Sequence, residues 1–223
     1  LTAIVNGSFM FEKDLSSLIA YSFAFTKFDM EINQFNSIAY NKVSENQVDE
    51  DQYFNSRIIY TKFFDSNSLV KLAFNGYSIT HNEKITEYKN EITNTYKNKY
   101  SQDVFSFGAE YEYSSDKFTA IAGIGLDGVH TPEFGNNPKK ETDIDYSLNT
   151  AFIYSINEKL TSQINFGRKT RFPSMRESYS TALGKFVINP DLKPEVAYTT
   201  ELGLTSYNFD AKTELNLFLT YIS

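Results

Sequence analysis

Apolar and polar residues alternate one by one along much of this chain. Between positions 103 and 113 every second residue is apolar or aromatic, namely Phe105, Phe107, Ala109, Tyr111 and Tyr113. Between positions 211 and 222 the apolar set is Leu215, Leu217, Leu219 and Tyr221, with Phe218 as the exception on the opposite side. A period of two over about ten residues predicts a β-strand with one polar and one apolar face.

The same alternation predicts about ten strands, including an opening strand around positions 2–11. The other apolar sets are Ile19, Tyr21, Phe23 and Phe25; Ile58, Tyr60 and Phe64; Val70, Leu72 and Phe74; Phe118, Ala120, Ala122, Ile124 and Leu126; Leu148, Phe152, Tyr154 and Ile156; Leu160, Ile164 and Phe166; and Tyr198, Leu202 and Leu204. The opposite faces, which we expect to meet water, carry Arg57, Lys71, Asn75, Asn149, Gln163, Asn165 and Glu201.

Short and long connections follow one another in strict turn along the chain. Short turns are predicted at 13–16, 65–68, 114–116, 157–159 and 208–210, and long polar loops at 29–53, 80–102, 130–143 and 170–195. In an up-and-down antiparallel sheet this order places every tight turn at one end and every long loop at the other, as in transmembrane β-barrels. Tilted strands of about ten residues also suit a bilayer. A soluble β-sandwich, whose strands alternate too, is the alternative.

Composition excludes several classes of function. The chain has 21 basic and 28 acidic residues, a net charge of −7 and no basic run, so it lacks the cationic surface that nucleic acids require. The absence of Cys excludes a disulfide scaffold and thiolate metal sites. The chain contains no run of apolar residues long enough for a transmembrane helix. It opens at Leu1 in mid-alternation and stops at Ser223 within a predicted strand, so we expect a fragment of a longer protein.

One glycine motif is compatible with a nucleotide site by its letters alone. Gly123 to Gly128 match G-x-G-x-x-G, a motif that binds dinucleotides only where a helix begins at the third glycine. Here the glycines fall within an alternating strand and His130-Thr131-Pro132 follow. We therefore predict that Gly123 and Gly125 lie on the inner face of a barrel, where small residues leave space.

The remaining polar candidates predict neither an enzyme nor a bound cofactor or metal. His81 and His130 are predicted to be solvated residues of long loops, and no nucleophile motif such as G-x-S-x-G occurs. The acidic run Asp49-Glu50-Asp51 lacks the spaced oxygen ligands of a calcium loop, and its interpretation is a solvated loop face.

The segment from 165 to 201 carries three elements in order. A predicted strand ends in Phe172-Pro173-Ser174, residues 189–195 are Asn-Pro-Asp-Leu-Lys-Pro-Glu, and Glu201-Leu202-Gly203 lie in the next strand. In order and spacing these elements resemble TonB-dependent outer-membrane receptors. The residues that match the family motif are Phe172, Pro173, Ser174, Glu177, Asn189, Pro190, Asp191, Leu192, Pro194, Glu195, Glu201 and Gly203.

The prolines give this segment a structural interpretation. Pro173 cannot donate to a β-ladder, so strand pairing must stop near Phe172. Pro190 and Pro194 favour an extended chain between them. The segment is therefore predicted to end one strand, shape the barrel rim and start the next strand in register.

Four basic residues cluster in the same segment of an acidic chain: Arg168, Lys169, Arg171 and Arg176. One hypothesis is a patch that attracts an anionic ligand such as a ferric siderophore. The other is ion pairing with Glu177, Glu195 or Glu201 inside the wall.

The resemblance implies an all-β, antiparallel, up-and-down transmembrane β-barrel, of which this chain holds about ten strands out of about 22. Residues 1–223 would be part of a single β-barrel domain, with the plug domain and the remaining strands outside this chain. The implied role is TonB-energised import of a scarce ligand (siderophore, haem, cobalamin or glycan) across the bacterial outer membrane. The implied partners are the lipid bilayer, lipopolysaccharide, TonB through the missing N-terminal part, and a small-molecule or chelate ligand. The alternatives are a self-contained ten-stranded outer-membrane enzyme or porin, and a soluble β-sandwich binding domain.

Overall fold

The chain forms ten strands and one short helix. The computed structural model describes residues 1–11, 16–89, 92–137, 139–179, 189, 191–208 and 211–223. The strands are β1 Thr2–Phe11, β2 Ser17–Phe35, β3 Val43–Phe63, β4 Ser68–Lys89, β5 Ile92–Ser114, β6 Phe118–Phe134, β7 Lys140–Asn157, β8 Leu160–Arg171, β9 Glu195–Asn208 and β10 Ala211–Ile222, and the helix is α1 Met175–Tyr179. The predicted number of strands is confirmed.

All ten strands belong to one antiparallel sheet in which each strand pairs with its neighbours in sequence. Residues directly opposite one another share a face, and the register therefore carries each face from strand to strand. On one face Ile58 pairs with Phe74, Phe74 with Phe107, and Phe107 with Leu126. The predicted all-β, up-and-down antiparallel fold is confirmed.

The large apolar side chains lie on the surface of the sheet. Phe107 is 53% exposed and Leu217 61%, whereas the buried large apolar side chains among the described residues are Val129 and Phe134. A β-sandwich would cover this apolar face with a second sheet, so the sandwich alternative is wrong. A bare apolar face is typical of strands that meet lipid. Within the described ranges, no helix combines the length and apolar character needed to cross a membrane.

Three of the four predicted long loops are wrong, because most of their residues belong to paired strands. β2 and β3 are joined by residues 36–42, β4 and β5 by 90–91, and β6 and β7 by 135–139. In these extensions the strands remain paired although neither face is continuously apolar. Polar side chains there interact across neighbouring strands, as in the Lys27–Glu50 ion pair at 2.6 Å. The exception is the connection between β8 and β9, which we call the rim segment (residues 172–194). His81 and His130 consequently lie in β4 and β6, not in loops.

The tight turns lie at the other end of the sheet. In the turn after β3, the Asp65 carboxylate accepts hydrogen bonds from the backbone N–H groups of Asn67 and Ser68, both at 2.7 Å. These hydrogen bonds lower the pKa of Asp65, and the bond from the Asn67 N–H has the largest effect. The predicted turns at 13–16 and 208–210 fall largely outside the described residues.

Candidate functional site

The rim segment folds back over the polar face of the sheet. The Gln102 side-chain amide on β5 donates to the carbonyl oxygen of Pro173 at 3.2 Å, and Lys140 on β7 donates to that of Leu192 at 3.1 Å. Pro173 itself is buried. The segment that leaves β8 thus reaches across to β5 and covers part of the polar face.

A capping box shapes the start of this cover. The Ser174 hydroxyl accepts the Glu177 N–H at 3.3 Å, and the Glu177 carboxylate accepts the Ser174 N–H at 2.9 Å. Serine followed three residues later by glutamate is the sequence signature of this motif, so α1 could have been predicted from the sequence. The hydrogen bond from the Ser174 N–H has the largest effect on Glu177, and the hydrogen bond from Arg171 the next largest. Together they lower the pKa of Glu177 to about 2.

The other described motif residues organise the backbone. The Asn189 side chain accepts the Asp191 N–H at 3.2 Å, and the Asn189 N–H donates to the Ser178 carbonyl at 3.1 Å. A Cβ on the buried Gly203 would lie 2.6 Å from the Gln163 side chain. A larger residue at position 203 would therefore force the Gln163 side chain to move. Pro190 lies outside the described residues.

The four basic residues have different environments. Arg171 forms ion pairs with Glu177 and, at 3.2 Å, with Glu195, as the ion-pair hypothesis predicts, and these contacts raise its pKa. Lys169 faces the cavity under the rim segment. The side chain of Arg176 lies outside the described residues. Glu201 has no ion-pair partner in the described part of the chain and accepts hydrogen bonds from Gln163 and Asn165.

Arg168 occupies a split in the sheet. The pairing of β7 with β8 ends at Leu148 and Arg168, beyond which β7 continues along β6 and β8 along β9. The guanidinium group fills the gap: it donates to the Asp145 carboxylate at 2.8 and 3.1 Å and to the Tyr146 carbonyl, and its carbon lies 3.8 Å from the centre of the Tyr146 ring. Its acidic partner is therefore Asp145, which the sequence analysis missed.

A cavity of about 320 Å³ lies between the rim segment and the polar face. Its lining combines Phe172 and Pro173 of the rim segment with Gln102, Asp127 and Lys169 of the sheet. This mixture of polar, charged and aromatic groups can hold a small polar ligand or one arm of a larger one.

A second polar cluster lies beside this cavity, on β3 and β4. Asp49, His81 and Glu83 each have one atom able to bind a metal ion, and these three atoms lie within 4.8 Å of one another. The predicted acidic loop is therefore wrong: these positions are strand, and Asp49 lies on the polar face while Glu50 pairs with Lys27 on the other. Next to the cluster, burial and the Glu83 carboxylate raise the pKa of Tyr100.

The glycine motif lies in β6, which continues to Phe134 with no helix after it. Gly123 is paired with Asn149 and Glu110, and Gly125 is on the same polar face. A Cβ at Gly123 would clash with the Asn149 side chain. Both glycines lie on the polar face as predicted, although the Asn149 and Ser147 side chains fill the space beside them, and the motif lacks the helix that a dinucleotide site requires.

Comparison with known families decides the identity of the fold. Residues 5–223 match the family described as TonB dependent receptor-like, beta-barrel. The chain belongs to this family. The resemblance drawn from the 165–201 segment is confirmed, and members of this family are receptors and transporters. A search of curated proteins finds no match.

Solved structures of TonB-dependent receptors share the fold of this receptor barrel. The copper transporter OprC superposes with a TM-score of 0.74 at 13% identity over 92% of this chain and 36% of its own. The ferric yersiniabactin uptake receptor FyuA from Yersinia pestis gives a TM-score of 0.69 at 10% identity, over 99% of this chain and 35% of its own. The ferric citrate transporter FecA gives a TM-score of 0.66 at 11% identity, over 99% of this chain and 34% of its own. The chain spans about a third of the length of these proteins.

Proposed function

We propose that this chain supplies wall, lumen surface and extracellular rim to a TonB-dependent importer of a scarce small ligand in the bacterial outer membrane. The observation that carries the proposal is the division of one up-and-down sheet into a bare apolar face and a polar face partly covered by the rim segment. The apolar face meets lipid and lipopolysaccharide, and the polar face lines the path of the ligand.

In this proposal residues 1–223 are one part of a single barrel domain. The plug and the remaining strands belong to other parts of the protein, and TonB acts through them. The chemistry is binding and gating with no bond made or broken. Siderophore, haem, cobalamin and glycan are the ligand classes to be compared.

The experiment expresses the full-length receptor in a strain that lacks its own receptors for these ligands. Uptake of ferric siderophores, haem, cobalamin and oligosaccharides is measured with and without a functional TonB. We expect uptake of one class and its loss without TonB. Equal uptake in both strains, or an open conductance in planar bilayers, would favour the porin alternative.

Lys169 is the basic residue that we propose as the contact for an anionic ligand. Arg168 and Arg171 already pair with carboxylates, whereas Lys169 faces the cavity and has no ion-pair partner among the described residues. We expect Lys169→Gln to weaken binding of an anionic ligand several-fold. Lys212→Gln is the matched control, because Lys212 pairs with Glu214 away from the cavity. Equal effects of the two substitutions would exclude this role.

A further inference from the structure

The strongest unassigned group in the molecule is the polar square on β3 and β4. Asp49 is directly opposite Glu83, and Asp51 is directly opposite His81. Since opposite residues and residues two apart share a face, all four side chains lie on the polar face. Donor atoms of Asp49, His81 and Glu83 converge within 4.8 Å of one another.

Among the described residues, the three carboxylates of the square contact one imidazole and no lysine or arginine. Asp49 is 4% exposed, yet neither Asp49 nor Glu83 has a lysine or arginine partner among the described residues. The register places Lys84, Lys97 and Lys99 of the neighbouring positions on the opposite face, where Lys99 pairs with Glu133. A carboxylate buried without a counter-charge lowers folding stability, and a positive ion bound here would offset that cost.

Neutral side chains hold the carboxylates of Asp49 and Glu83 in place. The Gln47 amide donates to both Asp49 carboxylate oxygens at 3.0 Å and to Glu83 at 3.3 Å, and the Asn98 amide donates to Glu83 at 2.9 Å. Such outer partners orient the ligands of a metal and increase its affinity.

The imidazole of His81 is held by the Asp51 carboxylate. Its Nδ1 lies 2.5 Å from a carboxylate oxygen of Asp51, which leaves Nε2 to bind an ion. A carboxylate behind the other ring nitrogen is the usual arrangement for a histidine that binds a metal, because it selects the tautomer and makes the ligating nitrogen more basic.

We propose that Asp49, His81 and Glu83 form a binding site for a first-row divalent transition-metal ion of the zinc type, with Asp51 as a positioning residue. One imidazole and two carboxylates suit Zn²⁺, Mn²⁺ or Fe²⁺ better than Ca²⁺ or Mg²⁺, which take oxygen ligands. Three protein ligands leave a coordination position open. The ion therefore arrives either free or as part of a chelate that completes its coordination.

The placement of the site on the ligand path rests on the proposed function, whereas metal binding itself does not. The site lies on the polar face next to Tyr100, whose ring centre is 5.8 Å from that of His81. Gln102, two residues further along β5, contacts the rim segment. An ion bound here would face the same space as the cavity.

The test measures Zn²⁺ binding to the purified full-length receptor in detergent, by competition with a chromophoric chelator. We expect His81→Asn and Glu83→Gln each to weaken Zn²⁺ binding at least about 100-fold, and Asp51→Asn by about 10–100-fold. His130→Asn is the matched control, because His130 bonds to Thr142 away from the square. Equal Zn²⁺ affinity in wild type and His81→Asn would overturn the proposal.

A measurement on the unmodified receptor covers variants that fail to assemble. Diethyl pyrocarbonate modifies accessible imidazoles, and Zn²⁺ should protect His81 but not His130, as read by mass spectrometry. Equal modification with and without Zn²⁺ would also overturn the proposal. Running both measurements with free Zn²⁺ and with a Zn²⁺ chelate distinguishes the two sources of the ion. Neither measurement depends on TonB. A receptor that binds Zn²⁺ at this site but shows no TonB-dependent uptake would contradict the proposed function alone. A receptor that takes up a ligand but does not bind Zn²⁺ here would contradict the metal site alone.

Discussion

Removal of the Arg168 guanidinium should open the split between β7 and β8. Arg168→Met leaves the Asp145 carboxylate and the Tyr146 carbonyl without their shared donor. Breaking a buried ion pair by removing one partner typically costs about 3–5 kcal/mol. The Arg168 side chain is 8% exposed and that of Asp145 24%, so water partly replaces the lost partner. We therefore expect a loss of about 3 kcal/mol, at the lower end of that range.

Arg168→Lys separates charge from geometry. A lysine keeps the positive charge but cannot donate from two coplanar nitrogens to Asp145 and to the Tyr146 carbonyl while stacking on the Tyr146 ring. We expect it to lose about 1–2 kcal/mol through the cation–π contact and one charge-assisted hydrogen bond. The double variant Arg168→Met/Asp145→Asn removes the isolated charge, so its loss should be smaller than the sum of the two single losses.

The assay is denaturant-induced unfolding of the full-length receptor in detergent micelles, followed by far-ultraviolet circular dichroism. Lys212→Met is the control, because its ion pair with Glu214 is about half exposed and should contribute less than about 1 kcal/mol. A loss below about 0.5 kcal/mol for Arg168→Met, or the same loss as for Lys212→Met, would refute this account of the split.

Three further predictions test the faces and the rim segment. A Cβ at Gly125 would meet the Ser147 hydroxyl and lie 3.1 Å from the less movable Phe107 carbonyl, so Gly125→Ala should destabilise the barrel by about 1 kcal/mol. Gly108→Ala, with its nearest atom at 3.8 Å, should be neutral or stabilising, and unfolding midpoints that rank the other way contradict this. The pKa of Glu177 falls from 4.5 to about 2 in the folded chain, so its stabilisation of the rim segment is complete above pH 4.5 and is lost as the pH falls through about 2. Hydrogen exchange of α1 should show this pH dependence in wild type and not in Glu177→Gln. The isolated 223-residue chain should aggregate when refolded without detergent, because its apolar face and edge strands are bare, and a soluble monomer that melts cooperatively would contradict the membrane assignment.

The strand count and the two faces could be predicted because alternation is a local signal. Residues such as Phe105, Phe107 and Tyr111 show their shared face without knowledge of any partner strand. The strand ends could not be predicted in the same way. In the part of β3 before Tyr53 and the part of β4 after Thr80, both faces are mostly polar. The alternation therefore disappears there, although the backbone pairing continues.

The site was only partly predictable, because it depends on register. Asp51 meets His81, 30 positions away, and Asp145 meets Arg168, 23 positions away. A slip of one residue between two strands would place such partners on opposite faces, and the sequence alone does not specify that register. The capping box of Ser174 and Glu177 is a local signal that the sequence shows, but Pro173 and Ser174 were interpreted only as the end of a strand.

The paired extension of the central hairpins has a consequence for the thermodynamics of capture. β4 has 22 residues and β5 has 23, and at about 3.3 Å per residue each exceeds 70 Å, well over twice the hydrocarbon thickness of about 30 Å even before tilt. In the proposed importer, much of the surface that a ligand meets first is therefore hydrogen-bonded sheet in place of free loop. An arriving molecule does not have to immobilise those residues, so the entropic penalty of association is small, and affinity differences between ligands should appear mainly in how fast they leave.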